Sequence, residues 1–265
     1  MGDNDGHIVG LLGRSGPLFD SGDEIFGEAC GGPGALPESY GRICPSYVRS
    51  GAANMLEATT VVTPARFDQG LRYADFLAQA TVNRDKFELY YKESPLSAED
   101  LAFFKRAAAL PNGPAKILAL AEAWCGDVYR ELPTVARIAE ATGMSLRIFL
   151  RDENPDIMDE FLSNEGKSRA IPVFVFYTRD TRYITHFTER SAGAHVELAA
   201  IMEQVKSQLN LPRETTFATV PEPNKQQFLR EVIARIKPRF PDWQKESIKE
   251  MRALLSTALN LPDRG

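Results

Sequence analysis

The sequence predicts an α/β fold with a central mixed sheet, in the order strand, helix, strand, helix, strand, strand, helix, and with extra helices at both ends. Three observations predict it. Short apolar runs alternate with amphipathic helical patterns from residue 114 onward. The two strand–helix–strand steps favour right-handed crossovers between parallel strands. A short turn at 178–181 joins the last two strands, which indicates an antiparallel hairpin.

Each element of the sheet region has its own residue pattern. The first strand, 116–123, is a short apolar run typical of a buried parallel strand. The helix after it carries apolar residues on one face and ends at Gly143, a favourable residue for a helix C-terminus. The remaining elements are strands at 146–150, 172–177 and 182–187, and helices at 155–164 and 192–209.

Helical patterns flank the sheet region on both sides. Apolar spacing predicts a helix over 67–77, and Ser97 with acidic residues after it predicts the start of another. Two more helices are predicted around 228–236 and after Pro241 as packing elements. The predicted organisation is a helical N-terminal extension at 55–113, a sheet domain at 114–210 and a C-terminal helical extension at 211–265.

Residues 1–54 form a separate compositional block. The block contains 12 of the 19 glycines and has no sustained period of 2 or 3.6 residues. Glycine raises the entropic cost of ordering a chain, so the block is predicted to be mostly disordered. The alternative is an over-extended gene model, with Met55 as the true start.

Composition excludes several classes of function. The net charge of -5, with no basic block, argues against a nucleic-acid binder. No apolar stretch approaches the roughly 18 residues that a membrane span needs. Three cysteines are too few for a disulfide framework, which favours a reducing cytoplasm. The three histidines lack ligand spacing with one another or with cysteine, so no metal site is expected.

Cys125 is the residue whose sequence context most clearly indicates chemical reactivity. It lies where a buried strand passes into a helix, and the unpaired N–H groups of a first helical turn stabilise a thiolate. The carboxylate of Asp127 opposes that effect, because it disfavours a second negative charge nearby. We therefore expect a thiol with a partly lowered pKa, and Cys125 is the candidate nucleophile.

Two motifs carry a resemblance to a known family. Trp124-Cys125-Gly126-Asp127 after the first strand resembles the active-site motif of the thioredoxin superfamily, and Ile171-Pro172 before the strand 173–176 resembles its cis-proline motif. The resemblance covers roughly 114–210 and implies a thioredoxin-like fold. It is closest to bacterial thioredoxin-like proteins with a Trp-Cys-Gly-Asp motif.

The resemblance implies a role for each motif residue. Cys125 would be the attacking thiol and Trp124 would shield it, and Trp124, Gly126 and Asp127 would bind the substrate together with Ile171 and Pro172. Pro172, if cis, would lie opposite the cysteine, and the Ile171 backbone could pair with an extended substrate. Thioredoxin-type motifs have a second cysteine three positions after the first, and here that residue is Val128. Dithiol turnover through this motif is therefore excluded.

Three hypotheses of function remain. The first is monothiol redox chemistry at Cys125: a mixed disulfide with protein or small-molecule thiols, resolved by an external thiol such as glutathione, with no bound cofactor. The second is a non-catalytic binding module that holds an extended segment of a partner beside Trp124 and Pro172. The third is an adaptor role carried by the flanking helices. The oligomeric state stays open.

Overall fold

The computed structural model describes residues 60–217 and 219–263. The predictions made for residues 1–54 and for Met55 lie outside the described residues.

The order of helices and strands follows the predicted α/β pattern. The elements are α1 Pro64–Asp68, α2 Tyr73–Gln79, α3 Arg84–Lys92, α4 Ala98–Ala109, β1 Lys116–Ala121, α5 Gly126–Thr142, β2 Ser145–Leu150, α6 Pro155–Met158, β3 Val173–Tyr177, β4 Tyr183–Thr188, α7 Ala192–Gln208, α8 Glu222–Ile236 and α9 Phe240–Leu259. Single 3₁₀ turns precede α6 and α9. The α/β fold class with extra helices is confirmed.

The sheet is mixed, with the strand order β2-β1-β3-β4. β1 and β2 are parallel, with Lys116 opposite Ser145, and β3 and β4 form the predicted antiparallel hairpin. The prediction of a second parallel crossover is wrong, because β3 runs antiparallel to β1. A parallel crossover needs a full helix to carry the chain back along the sheet. Here α6 has only 4 residues, so the chain enters β3 at the sheet end where β2 finishes.

The predicted helix over 67–77 is instead two short helices, α1 and α2. Between them, a Cβ atom on Gly70 would come within 2.5 Å of the Phe149 ring. The next residue, Leu71, forms an isolated antiparallel bridge with Ile148 on the outer edge of β2. The close approach to β2 at Gly70 therefore ends the first helix. The predicted helix at 155–164 is also shorter than expected, since α6 ends at Met158.

Local signals at helix ends agree with the structure. Ser97 and Asp100 form a reciprocal capping box at the start of α4. Gly143 ends α5 in the left-handed conformation, with φ of 76°. Helix α3 was not predicted, although Phe87, Tyr90 and Tyr91 lie at helical spacing.

Two apolar cores lie in the described part of the chain. The first lies around the sheet and takes in residues of α4, α5 and α9. The second is formed by α7, α8 and the first turn of α9. Ile248, Met251 and Leu255 of α9 belong to the first core, and α9 packs along β4. The C-terminal extension thus contributes a helix to the core of the sheet.

No helix in the described ranges is long and apolar enough to cross a membrane.

Candidate functional site

Cys125 is the N-cap residue of α5, directly after the short loop that follows β1. Its backbone is extended, with φ of -76° and ψ of 130°. Its N–H donates to the Glu122 carbonyl at 3.1 Å, and its carbonyl accepts from the Tyr129 N–H at 3.2 Å. The strand–loop–helix junction therefore fixes the sulfur at the first turn of α5.

The second motif lies beside the first, although 46 residues separate Cys125 from Ile171 in sequence. The Ile171–Pro172 peptide bond is cis. The Cys125 thiol lies 3.6 Å from the Ile171 carbonyl oxygen, within the range of a weak hydrogen bond from sulfur. The fold thus brings Cys125, Ile171 and Pro172 together.

The Cys125 thiol is enclosed and protonated. The residue is 1% exposed, and its pKa is raised to about 12. Burial is the largest cause, and the negative charges of Asp127 and Glu189 raise it further. The backbone N–H groups of Val128 and Asp127 lower the pKa but do not overcome the burial. The prediction of a partly lowered pKa is wrong, because the sequence motif carries no measure of desolvation.

Trp124 and Gly126 form the partly exposed rim around the buried thiol. The guanidinium of Arg151 lies over the Trp124 ring, 5.1 Å from its centroid, a geometry that holds the indole in place. A Cβ atom on Gly126 would meet nothing closer than the Tyr129 hydroxyl at 3.6 Å. Packing in this state therefore does not require glycine at position 126.

Asp127 lies inside the protein at 5% exposure. Its carboxylate accepts hydrogen bonds from two buried guanidinium groups, those of Arg130 on α5 and Arg190 after β4. Burial raises the pKa of this carboxyl, but the charges of Arg190 and Arg130 prevail and hold it below its usual value. Asp127 is therefore an internal anion and does not form part of a solvent-facing binding surface in this state.

A family model described as Thioredoxin matches residues 70–206, just over half of the chain. The chain belongs to this thioredoxin family. No curated protein matches it.

Two solved structures are similar at low identity. One is a protein of unknown function from Pseudomonas aeruginosa, at 14% identity and a TM-score of 0.45. The other is an HIV epitope scaffold, at 13% identity and a TM-score of 0.46. Each likeness covers 74% of this chain and 99% of the other.

Val128 lies three positions after Cys125, and its side chain carries no thiol. Val128 is completely buried on α5 and belongs to the first core. Among the described residues, Cys125 is the free cysteine. In the same part of the chain, no group of three or more His, Cys, Asp or Glu side chains could hold a metal ion.

The sequence analysis did not identify the buried charged residues next to the motif. Arg130 and Glu131 lie on α5, and Glu189 and Arg190 lie between β4 and α7; each is at most 5% exposed. The residue pattern of α5 is that of an ordinary amphipathic helix, so it did not indicate that Arg130 and Glu131 are buried. Glu189 and Arg190 come 64 and 65 positions after Cys125, in a connection without periodicity. One feature of the sequence could have indicated them: several charged residues lie close to a run of apolar core residues.

Proposed function

We propose that this thioredoxin-family protein is a binding module that holds an extended segment of a partner beside Trp124 and Pro172, without redox turnover. The observation that carries the proposal is the state of the Cys125 thiol, which is 1% exposed with a pKa of about 12. Such a pKa leaves about one thiolate in 10⁵ molecules at pH 7. The thiolate is the nucleophile, so the thiol is a poor nucleophile in the folded state described.

The residue at position 128 supports the same proposal. A dithiol oxidoreductase releases its substrate when the second thiol attacks the mixed disulfide. Val128 has no thiol, and it is packed in the core with no exposure. A stable binding surface does not need that step, and in a reducing cytoplasm the single thiol of the motif would stay reduced.

The recognition surface in this proposal combines a partly exposed aromatic ring with unpaired backbone. Trp124 is partly exposed and is held by Arg151. In the described part of the chain, the N–H of Ile171 donates to no backbone carbonyl. An extended peptide that reached Ile171 would accept from this N–H, as a strand added to a sheet does. That approach requires local opening, because Ile171 is 1% exposed.

A second candidate, monothiol chemistry at Cys125, is favoured by the N–H groups of Asp127 and Val128 at the sulfur. The thiolate would attack a substrate disulfide, form one S–S bond and release the other sulfur as a thiolate. An external thiol such as glutathione would then attack the mixed disulfide and free Cys125. This reaction needs a state in which the thiol is exposed and deprotonated.

The experiment that separates the two candidates is alkylation of Cys125 across pH. The full chain with Cys30→Ser and Cys44→Ser keeps Cys125 as the single thiol. The binding module predicts slow labelling with no midpoint below pH ~10. The same variant in denaturant should label with an ordinary midpoint near about 8.5. Fast labelling of the folded protein, with a midpoint well below that value, would reject the proposal and support monothiol chemistry.

Binding itself is tested with an array of extended peptides. The parent and Cys125→Ser should retain the same peptides, since the thiol is not the recognition group. Trp124→Ala should lose them, because it removes the partly exposed ring. An array on which the parent retains no peptide above background contradicts the binding module.

A further inference from the structure

Arg151 follows β2 directly, and its side chain is buried at 6% exposure. Its guanidinium lies over the Trp124 ring, 5.1 Å from the ring centroid. The same group donates to one oxygen of the Asp152 carboxylate, from Nε at 2.8 Å and from Nη2 at 2.7 Å. Its Nη1 donates to the Arg169 carbonyl oxygen at 3.4 Å. One buried cation therefore contacts a ring, a carboxylate and a backbone carbonyl at once.

These contacts join the two halves of the site. Trp124 belongs to the loop that precedes α5. Arg169 lies two residues before Ile171, in the segment that leads to the cis peptide bond. A single side chain from the end of β2 therefore bridges the indole and the segment that enters Pro172.

The backbone of the loop around Trp124 is held by groups other than this guanidinium. The side-chain amide of Asn83 donates to the Ala123 carbonyl at 2.9 Å. The Asp152 N–H donates to the Glu122 carboxylate at 3.1 Å, which ties the loop to the residues after β2. A change in the guanidinium should therefore leave the path of the backbone in place and release the indole.

The shape of the guanidinium suits this position. A guanidinium can lie over an aromatic ring while its N–H groups donate within its own plane, in fixed directions. Arg151 does both, to Trp124 and to the two acceptors from Asp152 and Arg169. A lysine ammonium is a compact point charge, and it cannot make all of these contacts together. The position therefore distinguishes arginine from lysine, although both side chains are cationic.

We infer that Arg151 is a positioning residue, which holds the Trp124 indole in place relative to the segment that enters Pro172, so that the ring is already oriented when an extended peptide binds. The inference rests on the proposed function, because it names the residue that sets the shape of the proposed recognition surface. A side chain that must be ordered on binding weakens affinity, and a ring held in advance avoids that cost. Arg151 acts through Trp124, since its own side chain is buried.

The test is fluorine NMR of the full chain labelled with 5-fluorotryptophan. The chain has two tryptophans, Trp124 and Trp243, and the variant Trp124→Phe assigns their two resonances. Arg151→Lys should move the Trp124 resonance towards that of free 5-fluorotryptophan, because the released ring would sample several orientations in contact with water. The Trp243 resonance should stay in place, since Trp243 is 2% exposed in the second core. A general loss of structure would move both resonances, so the spectrum separates positioning from stability.

The matched control is Arg147→Lys on β2. Arg147 also lies over an aromatic ring, that of Phe67 at 6.0 Å from the centroid, and donates to the Leu146 carbonyl at 3.0 Å. Arg147→Lys should move neither tryptophan resonance. An unchanged Trp124 resonance in Arg151→Lys would overturn the inference, as would equal shifts of that resonance in the two lysine variants.

Asp152→Ala keeps the inference testable if Arg151→Lys does not fold. The Asp152 side chain is 60% exposed, so its loss should change stability little, yet it removes the carboxylate that accepts from Arg151. The Trp124 resonance should move in the same direction as expected for Arg151→Lys, by a smaller amount. A Trp124 resonance at the parent position in Asp152→Ala would then overturn the inference.

Peptide binding connects the inference to the proposed function. For peptides that the parent retains on the array, Arg151→Lys should weaken binding by about two- to tenfold, the effect of one side chain that must be ordered on binding. Arg147→Lys should bind them like the parent. Equal binding by Arg151→Lys and the parent would overturn the inference. A parent that retains no peptide is a different failure, because it would reject the proposed function while the fluorine spectra still report on the ring.

Discussion

Glu131 differs from Asp127 in its protonation, although both carboxylates are buried on α5. It is 1% exposed, and its one arginine partner, Arg130, is shared with Asp127. Burial raises its pKa to about 7, and the Asp127 charge adds to that rise against the lowering by Arg130. Glu131 therefore changes charge near neutral pH.

The titration of Glu131 predicts that stability falls as the pH rises. The folded pKa is above the unfolded value of 4.5, so the native state binds the proton more tightly. The stabilisation is fully present below about pH 4.5 and is lost as the pH rises through about 7. By pH 8.5 the loss is on the order of 3 kcal/mol, because each tenfold difference in proton affinity between the folded and unfolded chain contributes about 1.4 kcal/mol.

Urea unfolding of Glu131→Gln and of the parent at pH 5 and pH 8.5 measures this effect. Glu131→Gln should lose less free energy of unfolding between the two pH values than the parent does. Glu203→Gln is the control, because the Glu203 side chain is 55% exposed, and it should behave like the parent. Identical pH dependence in Glu131→Gln and the parent would show that Glu131 titrates normally.

Sequence reasoning found the residues that local motifs mark, and missed those that only the fold brings near. Cys125 was singled out because a strand–helix junction has a local signal, and Pro172 because its motif resembles one of the thioredoxin superfamily. Arg190 reaches Asp127 from a position 63 residues away, and nothing in its own neighbourhood marks it. The Cys125 pKa was mispredicted for the same reason, since burial depends on what the whole chain packs around the sulfur.

The helices and strands show the same limit of prediction from local sequence. Existence and type were predicted for most elements, because periodicity of 2 or 3.6 is a local property. Strand direction in β3 was mispredicted, because it depends on how far α6 extends. The place of α9 was also not predictable, since its apolar face could have packed on several partners. In the fold it packs along β4, while α7 packs with α8 in the second core.

The packing of α9 predicts a large cost for truncating its buried face. Leu255 has no exposure and belongs to the first core. Leu255→Ala should lower the free energy of unfolding by about 2–5 kcal/mol through lost burial and a cavity. Leu89→Ala on α3 is the matched control, because Leu89 is 47% exposed, and it should change stability by less than about 0.5 kcal/mol. Similar costs in the two variants, measured by urea unfolding, would contradict this packing of α9.

At the scale of the whole molecule, α9 joins the two cores. Phe240 and Trp243 in its first turn belong to the second core, and Met251 and Leu255 further along belong to the first. Gln244, between them, donates to the Arg130 carbonyl on α5 at 2.7 Å. One helix therefore contacts the sheet, the α7–α8 pair and the helix that carries the motif. A variant that removes it would disturb the fold and the site together.

This connection bears on the adaptor hypothesis and on the division of the chain at residue 210. A chain that ends at 210 would lack Ile248, Met251 and Leu255, so the apolar surface that they cover would face water. We expect that chain to show no cooperative thermal transition and no native near-ultraviolet circular dichroism. Adding residues 211–265 as a separate chain should restore part of both signals. A cooperative transition in the truncated chain alone would instead show that the sheet domain folds without α9. In that case, loss of partner binding on deleting residues 211–265 would argue for an adaptor role of the C-terminal helices.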